Sequence, residues 1–274
     1  MSGVLLISNG SESGKSSIIL ALLRLVADRG TAVRPFKPVA ITSDIMEEGK
    51  YVLPWSLHAQ LDHAKIDYIP NMNPILLIPE KAADEQDILE PDARYRLYYS
   101  GVFNRRLSGE EFILQLDEHR TYLNGQAPSA CLMAEGMGHA FNRSSPVSSF
   151  ANTDIANAMQ LKTILIVDLK KDAAIQAFSH SLETMLKLGI NLHGVIFTKY
   201  IKGAELLDTA LKLAERALLP VIGGIPYSTD AEGSRVSQFS DWTKFVKTHV
   251  DMAALIRMFH ECPSGHNENK GLKI

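Results

Sequence analysis

The sequence predicts an α/β protein with a doubly wound, mostly parallel sheet and helices on both faces. Three observations carry that prediction. Apolar runs of strand length recur along the chain, among them Val4-Leu5-Leu6-Ile7, Cys131-Leu132-Met133-Ala134 and Ile164-Leu165-Ile166-Val167. Segments of helix length separate them, as crossovers between parallel strands require. The runs are apolar throughout, the pattern of strands covered on both faces.

With 274 residues, 46% hydrophobic and 22% charged, the chain has ordinary globular composition and enough apolar material for a sizeable core. A net charge of -3 lacks the basic excess that a nucleic-acid or membrane surface needs, so a small-molecule substrate is expected. Cys131 and Cys262 lie far apart and outside any C-x-x-C pair, which predicts neither a disulfide framework nor a zinc site. No basic leader precedes a long apolar run, and no stretch of about 18 apolar residues occurs. A cytoplasmic protein is expected.

The first strand runs into Ile7-Ser8-Asn9-Gly10-Ser11-Glu12-Ser13-Gly14-Lys15-Ser16-Ser17 and then into an apolar-periodic segment, Ile18 to Val26. A strand, a small-residue loop ending in Gly-Lys-Ser, and a helix form the setting of a phosphate-binding loop, so the sheet is predicted to be of the P-loop NTPase type. Small residues let consecutive backbone N–H groups point into one concavity, and the helix N-terminus adds partial positive charge. Lys15 reaches the outer phosphates, and the Ser16 hydroxyl can ligate Mg²⁺. Asn9, Gly10, Ser11, Glu12, Ser13, Gly14, Lys15, Ser16 and Ser17 are therefore the nucleotide-binding candidates. One position departs from G-x-x-x-x-G-K-[ST]: Asn9 stands where the pattern has Gly, a substitution expected to work because Asn tolerates left-handed backbone angles.

After the first helix, Gly30 closes the turn and residues 32–39 read as a second strand ending in a Pro-interrupted loop. In open α/β sheets the carboxyl ends of the strands line the site, which puts Lys37 beside the phosphate loop. An ammonium there neutralises a transferring phosphoryl group or orients an acyl phosphate; the alternative is a surface lysine before a proline. Residues 42–50 read as a loop and 51–66 as a helix interrupted early by Pro54. Asp44, Glu47 and Glu48 are acidic candidates for a metal contact, against the alternative of a solvated loop. Residues 72–79 form a strand between two prolines.

From Glu80 to Asn124 the chain turns polar, which predicts an insertion or lid over about 80–125 with a helix-like segment from Gly109 to Leu123. Tyr95, Tyr98, Tyr99, Arg105 and Arg106 there either face an anionic or planar substrate or pack as an aromatic-basic surface. The strand at 131–135 ends in Glu135 and two nearby glycines, a carboxylate placed to hold Mg²⁺ directly or through water. A core glutamate with no such role would be costly. Asn152-Thr153-Asp154 starts a helix; strands at 163–168, 192–198 and 220–227 alternate with helices at 173–188 and 203–217. One domain is predicted over 1–245, followed at 246–274 by a C-terminal helix and a tail without apolar periodicity, expected to be disordered. The histidines show no metal-ligand spacing.

In this series the chain resembles the N-terminal synthetase part of cobyric acid synthase, within the family that includes dethiobiotin synthetase and cobyrinic acid diamide synthase. The resemblance runs from about Val4 to Tyr227. It rests on Ser13-Gly14-Lys15-Ser16, Pro35-Phe36-Lys37-Pro38, Met72-Asn73-Pro74-Ile75-Leu76-Leu77, Glu135-Gly136-Met137-Gly138, Asp154-Ile155-Ala156-Asn157, Gly194-Val195-Ile196 and Pro220-Val221-Ile222-Gly223-Gly224-Ile225-Pro226-Tyr227. It implies ATP- and Mg²⁺-dependent activation of a small-molecule carboxylate as an acyl phosphate, followed by attack of a nitrogen nucleophile. By position Lys15 and Lys37 take the catalytic roles, Ser16 and Glu135 the metal, and Thr198, Lys199 and Pro226 the nucleobase end. A homodimer is also implied.

The chain departs from the family at three places. Ser8 stands at the family's first loop glycine. Lys50-Tyr51-Val52-Leu53-Pro54-Trp55 replaces Glu-Ile-Gly-Arg-Ala-Gln, and Lys170-Lys171-Asp172-Ala173 replaces Asp-Arg-Gly-Gly. Residues 228–274 are too few for a glutaminase domain, so an amide ligase of this length is expected to draw ammonia from a separate glutaminase subunit or from solution. The competing class is a non-catalytic or degenerate P-loop switch that binds ATP to set a conformation or a partner contact. Such proteins often place an extra lysine early in the loop, and Asn9-Gly10-Ser11 offers none.

Overall fold

The computed structural model describes residues 3–10, 13–79, 95–99, 102–103, 130–137, 152–227 and 239–260. Its centre is a parallel sheet of β1 (Gly3–Ser8), β2 (Val33–Phe36), β9 (Cys131–Glu135), β10 (Lys162–Asp168), β11 (Leu192–Tyr200) and β12 (Val221–Pro226). Their order is β12-β11-β10-β1-β9-β2, and every neighbouring pair is parallel. The phosphate-loop strand thus lies inside the sheet, between β9 and β10.

Side chains alternate across a strand, so β1 shows how both faces are covered. Val4 and Leu6 join the core formed with α1 (Lys15–Ala27), α6 (Phe239–His249) and α7 (Met252–His260). Leu5 and Ile7 join the opposite core, with α2 (Trp55–Ala64), α3 (Asn152–Met159), α4 (Ala174–Lys187) and α5 (Glu205–Arg216). All four are fully buried, and the predicted doubly wound architecture is what the structure has.

The stretch at 32–39 divides between two sheets. β2 ends at Phe36, the Lys37 N–H leaves the ladder to donate to the Met72 carbonyl (2.7 Å), and Pro38 has no N–H to continue one. The chain resumes as β3 (Val39–Ile41), parallel to β6 (Ile75–Pro79), with β7 (Tyr95–Tyr99) and β8 (Val102–Phe103) added antiparallel. The latter two lie inside the predicted insertion; Tyr98 packs on Ala40, Leu76 and Ile78 as part of this small sheet's core. Arg105, Arg106 and the helix expected at 109–123 lie outside the described residues, as does the tail after residue 260.

The expected loop at 42–50 is half of a hairpin, β4 (Ile45–Glu48) with β5 (Tyr51–Pro54), turned by Gly49 at φ 60°. Pro54 does not interrupt a helix: it ends β5 in an extended conformation (φ −60°, ψ 136°) and caps α2, which starts at Trp55. Helix α6 runs through residue 245, where the sequence places a boundary, and Val246, Leu255 and Phe259 all sit in the core behind α1.

Candidate functional site

The phosphate loop leaves β1 at Ser8 and enters α1 through Gly14, whose left-handed backbone (φ 84°) turns the chain into the helix. Lys15 is 7% exposed, and its Nζ donates to Ser8 Oγ (2.7 Å), which itself donates to the Gly10 carbonyl (2.6 Å). Burial brings the Lys15 pKa down to about 8; Glu135 opposes the fall, and Lys37 and Lys171 add to it. The Ser13 hydroxyl is buried with no hydrogen-bond partner among the described residues, an orphan that a phosphate oxygen would satisfy. Ser11 and Glu12 lie outside those residues.

Asn9 does not work by the route expected from its backbone tolerance. Its φ is not positive; instead its side-chain Oδ1 accepts the Asp168 N–H (3.3 Å) while its own N–H donates to the Ile166 carbonyl (3.2 Å). It ties the start of the loop to β10.

The carboxyl end of β9 brings Glu135 under the loop. Its Oε1 accepts from Ser16 Oγ (2.5 Å) and Lys37 Nζ (2.7 Å), and its Oε2 from Gln60 Nε2 (2.9 Å). Glu135 is 3% exposed, and burial alone would raise its pKa. The Lys37 charge and the hydrogen bonds from Lys37, Ser16 and Gln60 outweigh that and hold the carboxyl below its ordinary range. Lys37 is fixed from behind: Asn73 Nδ2 donates to its carbonyl (2.7 Å) and Met72 takes its N–H. The Met72-Asn73-Pro74 stretch thus serves Lys37. Gly136 lets β9 continue past α3, since a Cβ there would stand 2.6 Å from Asn152 Oδ1.

On the other side of β1, Asp168 is 1% exposed at the end of β10, paired with Lys199 Nζ (3.1 Å) and accepting the Lys170 N–H (2.9 Å). Lys199 has φ 54° at a register shift between β11 and β12, a bulge that turns its side chain back toward the loop. Thr198 Oγ1 lies 3.2 Å from the Ser13 carbonyl, linking β11 to the loop. Thr198, Lys199, Ile225, Pro226 and Tyr227 form one wall of a cleft that Ser16, Ser17, Trp55, Phe239 and Trp242 also line. It encloses about 940 Å³ with its open mouth included. Trp242 Nε1 donates to the Ser17 carbonyl (2.7 Å), anchoring α6 to the first turn of α1.

The structure therefore brings together Ser8, Asn9, Gly10, Ser13, Gly14, Lys15, Ser16, Lys37 and Glu135, with Thr198, Lys199 and Pro226 around the cleft. It leaves Asp44, Glu47 and Glu48 exposed on or beside the hairpin. Sequence reasoning assigned no role to Gln60, Asp168 or Trp242. Gln60 carried a signal: it is a polar residue in the buried stripe Leu57, Leu61, Ala64 of α2. Among the described residues no group of three or more His, Cys, Asp or Glu could hold a metal by itself. The adjoining Ser16 hydroxyl and Glu135 carboxylate are hard oxygen donors that fit Mg²⁺ completed by phosphates and water.

A parallel sheet with a glycine-capped loop at its central strand, a buried lysine in that loop and a carboxylate on the neighbouring strand define a P-loop α/β protein. The chain belongs to the AAA domain family AAA_26, which it matches over residues 2–235. It is 27% identical over 247 residues to the cobyric acid synthase of Aliivibrio fischeri, covering 86% of this chain and 48% of that protein. It is 30% identical over 240 residues to the cobyric acid synthase of Chloroflexus aggregans, covering 83% and 46%. The chain spans about half the length of these curated relatives. A cell division protein MinD from Aquifex aeolicus superposes with a TM-score of 0.44 at 12% identity, covering 95% and 96%. No helix among the described residues is long and apolar enough to cross a membrane.

Proposed function

We propose that this protein binds ATP with Mg²⁺ and activates a small-molecule carboxylate for amide or ring formation. The observation that carries the reading is that Ser16 and Lys37, from two separate elements, meet on one oxygen of the buried Glu135 carboxylate, whose charge also acts on Lys15. The similarity to cobyric acid synthases supports the choice of reaction.

Lys15 and the loop N–H groups hold the outer phosphates, and the cleft beside Thr198, Lys199 and Pro226 takes the nucleoside, with Tyr227, Phe239 and Trp242 as apolar walls. Ser16 and Glu135 would hold Mg²⁺, which supplies charge neutralisation on the phosphates. A substrate carboxylate oxygen forms a bond to the γ-phosphorus as the bond to the ADP oxygen breaks. A nitrogen lone pair then attacks the carbonyl carbon of the acyl phosphate; phosphate leaves and the nitrogen loses a proton. Lys37 stabilises the charge that gathers on the shared phosphoryl group in both steps. Ammonia, from a glutaminase or from solution, serves as the nitrogen source in an amide ligase, whereas a dethiobiotin-type substrate brings its own amine. The protein works as a homodimer.

One observation favours a second reading, ATP binding without carboxylate turnover. Where the resembled family carries Glu-Ile-Gly-Arg-Ala-Gln, this chain buries Leu53 and Pro54 and turns Trp55 into the cleft wall. Phosphate release by the purified chain with MgATP, measured with corrinoid acids plus ammonia and with the dethiobiotin precursor, separates the two. Stimulated release is expected; ATP binding with no stimulation by any carboxylate overturns the ligase reading.

A further inference from the structure

Lys171 lies in the turn between β10 and α4, and the sequence marks it only as part of a stretch that departs from the resembled family. Its Nζ stands 3.0 Å from the place a Cβ would take on Gly10, with its Cδ and Cε at 3.6 and 3.7 Å. Gly10 is absent from the residues with positive φ, so backbone conformation does not demand a glycine there. What a side chain at residue 10 would meet is the Lys171 stem. Gly10 is thus the residue that admits a lysine from elsewhere in the chain onto the start of the phosphate loop.

The turn that carries Lys171 is anchored at both sides. The Leu169 N–H donates to the Thr198 carbonyl (2.9 Å), the Lys170 N–H to Asp168 Oδ1 (2.9 Å), and the Lys170 ammonium lies 4.0 Å from the centre of the Tyr227 ring. Lys170 is therefore directed to the cleft and Lys171 to the loop.

The groups around the loop point to a ligand. Among the described residues, the ammonium groups of Lys37 and Lys171 act on Lys15 alongside the Glu135 carboxylate, and the buried Ser13 hydroxyl has no hydrogen-bond partner there. Cations gathered at one loop beside an unsatisfied hydroxyl suit a polyanion.

We propose that Lys171 is a further phosphate-binding residue, a cation supplied from the β10–α4 turn that contacts the polyphosphate of the bound nucleotide beside Gly10. The proposal rests on the ATP-binding reading above and adds a residue that the loop motif does not contain. It also supplies, from a distant part of the chain, the extra early-loop lysine that Asn9-Gly10-Ser11 lacks.

The test is the dissociation constant of MgATP, MgADP and AMP measured by calorimetry on the wild-type chain and on Lys171→Met and Lys171→Arg. Loss of one charge-assisted contact is expected to weaken MgATP about tenfold or more in Lys171→Met, with AMP changed far less and Lys171→Arg restoring most of the affinity. A merely structural lysine would leave the ATP-to-AMP affinity ratio unchanged. Wild-type MgATP affinity in a folded Lys171→Met overturns the assignment of Lys171. Absence of MgATP binding by the wild-type chain overturns the ATP-binding reading itself.

Discussion

Glu135 and Asp168 occupy matching places on either side of β1, at the carboxyl ends of β9 and β10, and each is buried against a lysine. They differ in what else holds them. Among the described residues Glu135 receives side-chain donors, Lys37, Ser16 and Gln60, each able to swing to a ligand without moving the backbone. Asp168 accepts a backbone N–H from its own turn, and its backbone N–H is taken by Asn9. The same pairing of carboxylate and lysine therefore yields one group poised for exchange and one that fixes the geometry of two loops. Rotatable partners, rather than burial or charge, are what separate these two carboxylates.

Substitution of the two carboxylates tests that contrast most directly. Glu135→Gln removes the ionised oxygen that faces Ser16 and Lys37, and is expected to lower carboxylate-stimulated phosphate release by about 10²- to 10³-fold while MgATP still binds. Steady-state assays and calorimetry measure the two effects separately. Asp168→Asn is expected to act on the scaffold, lowering unfolding stability by about 2 kcal/mol in denaturant titrations and changing turnover less than Glu135→Gln does. Equal losses of turnover in the two variants would break the comparison.

A pH series sharpens it. Lys15 has its pKa at about 8 in the free protein, and phosphates favour the charged form, so binding takes up a proton above that pH. The dissociation constant of MgATP is expected to rise by up to about tenfold per pH unit above about 8. Stability of the free protein moves the other way. A lysine whose folded pKa lies below its ordinary value of 10.5 destabilises the folded state while charged, so this cost shrinks as pH rises from about 8 to 10.5. Affinity falling and free-protein melting temperature rising over one pH range identify Lys15 as the group responsible.

The smallest effect is expected for Gln60→Leu. It removes one of the donors that hold the Glu135 carboxyl below its ordinary range, so that pKa rises. The stability that an ionised Glu135 contributes is present above the ordinary carboxylate pKa and lost as pH falls through the folded value. In Gln60→Leu the loss is smaller and is complete at a higher pH, which acid melting curves detect. An unchanged acid limb would mean that Lys37 and Ser16 alone hold the charge.

How much of this was legible in the chain depends on how far each signal travels. The strand, loop and helix around Gly14-Lys15-Ser16 declare themselves within residues 4–26, because backbone freedom at glycine and apolar periodicity are local properties. Glu135 could be read from its place at the end of a buried strand, and Lys37 from the open-sheet rule. The hairpin at 45–54 was not legible. β4 is neither strongly apolar nor alternating, so its pairing with β5 and the packing of α2 decide it. Pro54 gave a correct boundary with the wrong element in front of it.

By itself the sequence determined the parallel sheet, the phosphate loop after the first strand, and a lysine and a glutamate as candidates to meet there. Only tertiary structure decided the partners: Gln60 and Ser16 on Glu135, Asn73 behind Lys37, Asn9 across to Asp168, and Lys171 against Gly10. The physical reason is range. Periodicity and turn chemistry act over a few residues and are written in order along the chain, whereas a polar contact between remote residues leaves no local pattern and exists only once the sheet has set both ends in place.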